Sequence, residues 1–338
     1  MSSKNIDTNT DGRTKEFSRN ELLERLLKDV NDNLWDSEER LLSDYSGSMK
    51  MPLIIIMGPM RSGTTLFMQW LANTGLVSYP TNLLSRFYQA PIIGSKIQQL
   101  LTDSRFSFRD ELGEFIQQSE YRSENGKTRG VLAPNEFWYF WRRFLAEPSR
   151  DVWTNEELRQ TMDIKTMKAE IIGIMDVFQN PFAAKGMLFN YNIPFLNSIF
   201  EKILFVQIKR DMLTNISSVL DTRKRQFGSE NNWYSFKIPE YSFLKGLDPI
   251  TQTAGQIYYI NEAVNKGLEK VNDKRKMVVQ YEDFCLNPRQ FFDDLIMKLK
   301  LDRNNYIYSG EECFKKSRDY DVSNRHAIEK AISQYQQI

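Results

Sequence analysis

The sequence contains very few of the residues that build metal centres or disulfide frameworks. Among its 338 residues there is one histidine, His326, and there are two cysteines, Cys285 and Cys313. A single histidine excludes a histidine-based metal site, and this pair of cysteines gives neither a disulfide framework nor a zinc-ligand spacing. We therefore expect no metal, and two thiols fit a reducing compartment.

Strong net charge and long apolar runs are absent as well. The formal net charge is +1 at pH 7, so the chain lacks a bulk basic surface for nucleic acid, and any anion site must be a local cluster. The longest compact apolar run, Leu53–Met57, falls far short of the roughly 20 residues of a membrane helix. The polar N-terminus lacks a signal-peptide core, so we expect a cytoplasmic protein. An acceptor at a membrane surface stays open.

An alternation of strand and helix patterns is present instead. Buried-strand patterns at Leu53–Met57 and Ile203–Ile208 are each followed by helical periodicity, beginning near Thr64 and Asp211. This order predicts an α/β, P-loop-like three-layer fold, with a central, mainly parallel sheet flanked by helices. Sheets of this kind bind ligands at the carboxyl ends of their strands.

The organisation outside the strands is simpler. Residues 1–17 are polar and are predicted to form a disordered tail. We expect one domain over 18–338, with a helical insertion at about 83–180. Apolar residues recur at helical spacing soon after the tail, and Ser18 with Glu21 fits a capping box at the start of that helix.

The most specific motif follows the first strand and reads Gly58-Pro-Met-Arg-Ser-Gly-Thr-Thr65. Two glycines allow a tight turn whose backbone N–H groups converge on an anion, and the next helix adds its positive N-terminal end. A P-loop kinase would carry lysine at position 64, so Thr64 argues against that alternative. Arg61 can supply a cation from within the loop. A glycine turn without a ligand stays open.

The segment PMRSGTT resembles the 5′-phosphosulfate-binding motif of sulfotransferases, which use 3′-phosphoadenosine 5′-phosphosulfate (PAPS) as co-substrate. The resemblance extends over about residues 52–300 and implies transfer of a sulfuryl group from PAPS to an acceptor hydroxyl, with release of adenosine 3′,5′-bisphosphate. It implies that the donor's phosphosulfate is bound by Arg61, Ser62, Gly63, Thr64 and Thr65.

A second motif follows the strand ILFVQIK. Arg210 stands at the strand-to-helix corner, and Ser218 follows eight residues later. This pattern resembles the family's 3′-phosphate motif, so Arg210 and Ser218 would bind that group. Met212 stands where the family usually has proline, which favours a helix start but is not required for one. An ordinary surface arginine at such a corner is the alternative.

Two residues are candidates for the chemistry. The resemblance suggests Lys185 as the cation at the leaving group, although a solvent-facing lysine at a strand end is an alternative. Some branches of the family use histidine as the base and others use glutamate, and His326 lies far from any motif. Glu136 lies in PNEFWYFWRRF, which resembles a stretch of a bacterial-type branch, so the resemblance implies Glu136 as the base, with partial burial expected to raise its pKa. The competing interpretation is that Glu136 only pairs with Arg142 or Arg143.

The acceptor is the least specified part. Aromatic and basic residues around Arg223–Tyr234, together with the resemblance, favour a carbohydrate or glycolipid, although a partly packed loop explains them equally well. The run Lys315–Arg325 is a weaker candidate for closing over the 3′-phosphate, through Arg318 or Arg325. A sulfotransferase-like domain that binds nucleotide or glycan without turnover is the second reading.

Overall fold

The computed structural model describes residues 13–14, 17, 20–109, 112, 123–124, 127–316 and 324–337. The strands of the described chain are β1 (Leu53–Met57), β2 (Ser123–Glu124), β3 (Lys127–Thr128), β4 (Phe182–Lys185), β5 (Ile203–Lys209) and β6 (Lys276–Gln280). Its first helices are α1 (Glu21–Leu41), α2 (Thr64–Asn73), α3 (Pro91–Thr102), α4 (Trp138–Arg143), α5 (Asn155–Thr161), α6 (Ile164–Phe178) and α7 (Ile193–Ile199). They are followed by α8 (Met212–Phe227), α9 (Tyr241–Leu244), α10 (Pro249–Glu269), α11 (Tyr281–Leu286), α12 (Pro288–Leu299) and α13 (Arg325–Gln336).

The central sheet of the described chain is parallel and has the order β4-β1-β5-β6. Leu53 in β1 lies opposite Phe182 of β4 on one side and Ile203 of β5 on the other. The parallel arrangement places the carboxyl ends of these strands at one edge, which confirms the predicted α/β fold. Strands β2 and β3 form a separate two-residue antiparallel pair.

The five residues of β1 are all buried because both faces of the sheet are covered. Leu53 and Ile55 face a large core that includes residues of α6, α7, α8 and α10. Ile54 and Ile56 face a second core, formed with α2, α11 and α12. The alternation follows from the two-residue period of a strand, and the continuous apolar sequence is typical of a strand buried on both faces.

The first helix begins later than the sequence suggested. The N-cap of α1 is Asn20, whose side chain accepts a hydrogen bond from the Leu23 amide at 3.1 Å. The capping box at Ser18 is therefore wrong, because Asn20 satisfies the amide of the first turn. Ser18 itself lies outside the described residues.

The described chain also bears on the predicted organisation outside the sheet. Within the described ranges no helix is long and apolar enough to cross a membrane. Helices α3 to α6 fall within 83–180, although the division into a tail and one domain with an insertion stays a prediction. Of the predicted tail, Arg13, Thr14 and Phe17 are described, and the Thr14 amide donates to the Gln226 carbonyl at 2.9 Å.

Candidate functional site

The loop between β1 and α2 requires both of its glycines. Gly58 has φ 135°, and a Cβ atom there would lie 2.6 Å from the Ile208 carbonyl oxygen. Gly63 has φ 103°, and a Cβ atom would lie 2.2 Å from the Tyr281 ring. Any other residue would be strained at these φ values and would also overlap its neighbour. The turn therefore packs directly against β5 and α11.

Side chains from other elements fix the shape of this loop. Asn190 accepts from the Gly58 amide and donates to the Gly58 carbonyl, both at 3.0 Å. Asn215 of α8 donates to the Met60 carbonyl at 2.9 Å. These contacts tie the Gly58 and Met60 carbonyls of the loop to the segments that follow β4 and β5. Sequence patterns gave no signal for Asn190 or Asn215.

Ser62 fits a phosphate ligand. Its residue is 0% exposed, and its hydroxyl oxygen has no hydrogen-bond partner within the described chain. An unsatisfied buried hydroxyl costs free energy, so a phosphate oxygen at this position would satisfy it. The donor set of the loop, a serine, two threonines and an arginine, matches the chemistry of an anionic phosphosulfate.

The two predicted phosphate motifs meet in space. The Arg61 Nε donates to the Ser218 hydroxyl at 3.2 Å, and the Arg210 guanidinium donates to the Arg61 carbonyl at 2.8 Å. Arg210 is buried, and its guanidinium carbon lies 4.8 Å from the centre of the Tyr281 ring. Arg210 is therefore a packed part of the corner, which excludes the reading as an ordinary surface arginine.

The first residues of α11, Tyr281 and Glu282, pack against the phosphate loop and the corner after β5. Tyr281 fills the space beside Gly63 and lies against Arg210. Glu282 accepts a hydrogen bond from the Asp211 amide at 3.2 Å. These contacts join α11 to the corner that follows β5.

Lys185 lies at the centre of the candidate active site. It ends β4, directly beside Ile56 of β1. Its ammonium donates to the Thr65 hydroxyl at 2.8 Å and to a Glu136 oxygen at 3.1 Å. Lys185 is only 4% exposed, whereas the Glu136 side chain is 31% exposed. The surface-lysine alternative is thus excluded, and one buried cation joins the phosphate loop to the candidate base.

Glu136 is held differently from what the sequence suggested. Its second oxygen accepts from the Trp138 indole. Burial alone would raise its pKa, but Lys185, the Trp138 hydrogen bond and Arg61 together hold the pKa of Glu136 below its ordinary value. The expectation of a raised pKa is therefore wrong, because it considered burial without the neighbouring cations. Glu136 is a carboxylate near neutral pH.

The competing partners of Glu136 are engaged elsewhere. Arg142 forms an ion pair with Asp151, and Arg143 donates a hydrogen bond to the buried Glu170. The reading in which Glu136 only pairs with one of these arginines is therefore wrong. Both arginines lie in α4, which begins two residues after Glu136.

The other candidates, from the C-terminal part of the chain, lie on α13 or outside the described residues. His326 is exposed on α13, and Arg325 beside it forms an ion pair with Glu329 at 2.8 Å. Arg318 lies outside the described residues. Among the residues that are described, no group of three or more potential metal-ligating side chains lies together.

A cavity adjoins the Glu136–Lys185 pair. Its volume is about 10 Å³, which is room for about one water molecule. It is lined by Glu136, Trp138, Trp141, Lys185, Met187 and Leu188. The two charged groups thus face a small space with aromatic and aliphatic walls.

Comparison with known proteins agrees with this geometry. The chain matches the profile of the sulfotransferase family over residues 52–305. No curated protein sequence matches it. The sulfotransferase STF9 from Mycobacterium avium has 14% sequence identity and a TM-score of 0.55, covering 98% of this chain and 92% of that one.

A second structure shows the same likeness. The sulfotransferase STF1 from Mycobacterium tuberculosis H37Rv has 12% identity and a TM-score of 0.52, covering 93% of this chain and 82% of that one. At such low identity these likenesses establish the fold. The family profile spans more than half of the sequence and includes the loop, Glu136, Lys185 and Arg210. The chain therefore belongs to the sulfotransferase family.

Proposed function

We propose that the chain uses PAPS as the donor and moves its sulfuryl group to the hydroxyl group of an acceptor, with adenosine 3′,5′-bisphosphate as the second product. The observation that carries this proposal is the position of Lys185, which contacts both Thr65 of the phosphate loop and Glu136. A cation at this point can stabilise charge on a leaving phosphate oxygen, while the carboxylate accepts a proton.

The donor end would be held by the residues that meet around Arg61. Loop amides, the Ser62 hydroxyl and the Arg61 guanidinium would bind the 5′-phosphosulfate. Arg210 and Ser218 would bind the 3′-phosphate, for which a guanidinium and a hydroxyl supply complementary donors. The Arg61–Ser218 contact at 3.2 Å supports this division, since it joins the two phosphate positions.

Glu136 would act as the general base. Its lowered pKa keeps it ionised near neutral pH, so it can accept the acceptor's hydroxyl proton. A phosphosulfate beside Lys185 would compete for the ammonium, and the pKa of Glu136 should then rise and make it a stronger base.

For the acceptor we propose a carbohydrate or glycolipid. The partly exposed indole ring of Trp138 lies next to Glu136, and a flat aromatic face packs well against the C–H face of a sugar ring. A cytoplasmic location also stays a proposal from the sequence.

The donor class is tested by calorimetric titration with adenosine 3′,5′-bisphosphate, ADP and ATP, each with and without magnesium. We expect magnesium-independent binding of the bisphosphate, and tighter binding than that of ADP. Preference for ATP with magnesium would overturn the proposal. Acceptor screening with PAPS then follows, using Glu136→Gln as the variant whose turnover should fall more than its bisphosphate affinity.

A further inference from the structure

The indole of Trp138 holds one of the two carboxylate oxygens of Glu136. Its Nε1–H group donates a hydrogen bond to Oε2, whereas the Lys185 ammonium donates to Oε1 at 3.1 Å. The two oxygens therefore have different partners, one neutral and one cationic. An indole N–H group can only donate a hydrogen bond, so this contact persists while the cation changes partners.

The backbone around Glu136 is fixed by the residue before it. The Asn135 side chain accepts from the Phe137 amide at 2.9 Å and donates to the Asn82 side chain at 2.9 Å. The Asn135 amide also donates to the Pro80 carbonyl at 2.7 Å. These hydrogen bonds tie the turn before α4 to the segment that contains Asn82, so the carboxylate and the indole start from a defined backbone.

A buried guanidinium supports the ring of Trp138. The guanidinium carbon of Arg142 lies over one face of the ring, 5.3 Å from its centre. Arg142 is 8% exposed and forms an ion pair with Asp151, which in turn accepts from the Lys237 amide at 2.8 Å. A guanidinium over an aromatic face is a favourable cation–π contact. The indole thus has a support that does not depend on Glu136.

We propose that Trp138 is a positioning residue for sulfuryl transfer, whose indole keeps Oε2 of Glu136 in place so that Oε1 accepts the acceptor proton. This inference rests on the proposed function. When the Lys185 ammonium binds a phosphosulfate oxygen, Oε1 gains a free lone pair, whereas Oε2 stays bound to the indole. The acceptor oxygen then forms a bond to sulfur as its proton passes to Oε1. The bond between sulfur and the bridging phosphate oxygen breaks, and its electron pair stays on that oxygen beside Lys185.

Trp138→Phe tests this role, because phenylalanine keeps an aromatic ring and has no N–H donor. With PAPS and an acceptor from the screen described above, we expect kcat at about pH 8 to fall by roughly 10- to 100-fold. Burial raises the pKa of Glu136, while Lys185, the Trp138 hydrogen bond and Arg61 lower it. The acidic limb of the kcat profile should therefore move to higher pH in the variant, which keeps both cations. Affinity for adenosine 3′,5′-bisphosphate should not change.

Trp153→Phe is the matched control. The Trp153 indole also donates a hydrogen bond, to the Arg150 carbonyl at 3.1 Å, and the Arg150 guanidinium carbon lies 4.2 Å from its ring centre. The control removes the same kind of donor from beside an arginine and leaves the partners of Glu136 unchanged. We expect the wild-type kcat and the wild-type acidic limb, and urea unfolding of both variants separates a loss of stability from a loss of turnover.

The hydrogen bond can also be observed without turnover. The chain has six tryptophans, so ¹⁵N-tryptophan labelling gives one indole N–H signal for each. We expect Glu136→Gln to shift the Trp138 signal and to leave the Trp153 signal in place, and an unchanged Trp138 signal would overturn the contact. If Trp138→Phe does not fold, benzothienylalanine at position 138 has the shape of the indole without its N–H group, and the same kinetic test applies to it.

The outcomes separate this inference from the proposed function. A wild-type chain that neither binds the bisphosphate nor transfers the sulfuryl group would refute the proposed function. A wild-type chain that does both, with unchanged kcat in Trp138→Phe, would refute the role of Trp138 alone. A fall in kcat that leaves the acidic limb in place would also refute it, because the indole would then act on a group other than Glu136. A change confined to the acceptor KM would assign the indole to acceptor binding instead.

Discussion

Replacing Lys185 with methionine would remove the cation that joins Thr65 to Glu136 while keeping most of the side-chain volume. The ammonium lies 3.1 Å from a Glu136 oxygen, and at an effective dielectric constant of about 20 two unit charges at this distance attract by roughly 5 kcal/mol. Desolvation offsets part of this attraction, and the Glu136 side chain is 31% exposed. We therefore expect the variant to lose about 2–3 kcal/mol of unfolding free energy near pH 7.

The loss should depend on pH because Glu136 keeps the charge that has lost its partner. In the wild type burial alone would raise its pKa, but Lys185 and the other neighbours hold it below the ordinary value of 4.5. Its ionised form therefore stabilises the fold above about pH 4.5, and this contribution disappears as the pH falls through the lowered pKa. Without Lys185 burial should dominate and raise the pKa of Glu136.

Urea unfolding between about pH 5 and pH 7 measures this difference. The Lys185→Met variant should regain stability on acidification across this range, because its Glu136 becomes protonated, whereas the wild type should not gain from this residue. Glu136→Gln and the double variant complete a cycle, whose coupling energy should be about 2–3 kcal/mol near pH 7 and smaller near pH 5. A coupling near zero at pH 7, or parallel pH curves for the two chains, would refute the reasoning.

Three further changes have defined outcomes. Arg210→Ala should weaken binding of adenosine 3′,5′-bisphosphate by roughly 10- to 100-fold in calorimetry. Because Arg210 also donates to the Arg61 carbonyl at 2.8 Å, about 1–2 kcal/mol of stability should be lost in urea unfolding, and unchanged affinity would contradict its 3′-phosphate role. Gly63→Ala would place Cβ 2.2 Å from the Tyr281 ring and should cost at least about 2 kcal/mol and abolish the thermal shift with the bisphosphate. Burial raises the pKa of Glu170 to about 8, so its contribution to stability falls as the pH rises from about 4.5 to 8. Urea unfolding of Glu170→Gln at about pH 4.5 and about pH 8 should show no such decline in stability. A decline equal to that of the wild type would contradict this prediction.

Local patterns were sufficient for the elements that carry the donor motifs. Leu53–Met57 and Thr64–Asn73 have the predicted bounds, because a short apolar run, a glycine loop and an apolar helix face are all specified by neighbouring residues. The helix after β5 begins at Met212, since Asp211 is its N-cap and accepts from the Thr214 amide. The loss of the usual proline at Met212 thus has no effect on the helix start.

The contact between Glu136 and Lys185 could not be predicted from the sequence. Glu136 and Lys185 are 49 residues apart, and nothing in their spacing indicates that the insertion returns to the end of β4. The expected rise in the pKa of Glu136 failed for this reason, since burial could be inferred from neighbouring aromatic residues but the cation could not. Asn190 and Asn215 were not predicted, because their role depends on hydrogen bonds to loop carbonyls that are distant in sequence.

Most of the predicted site residues lie at or directly after the ends of strands. Three adjacent parallel strands, β4, β1 and β5, end at one edge of the sheet, and there they present Lys185, the phosphate loop and Arg210. The distances between these strand ends follow from strand pairing. The residues proposed to bind the donor therefore have a fixed geometry, and their motifs can be recognised in the sequence. Glu136 instead belongs to an irregular segment between β3 and α4 and is followed by Phe137 with positive φ. Such segments change without disturbing the sheet. If the donor is PAPS, selection among acceptors should therefore depend on these segments, and exchanging them between related chains should alter the acceptor while leaving bisphosphate affinity intact.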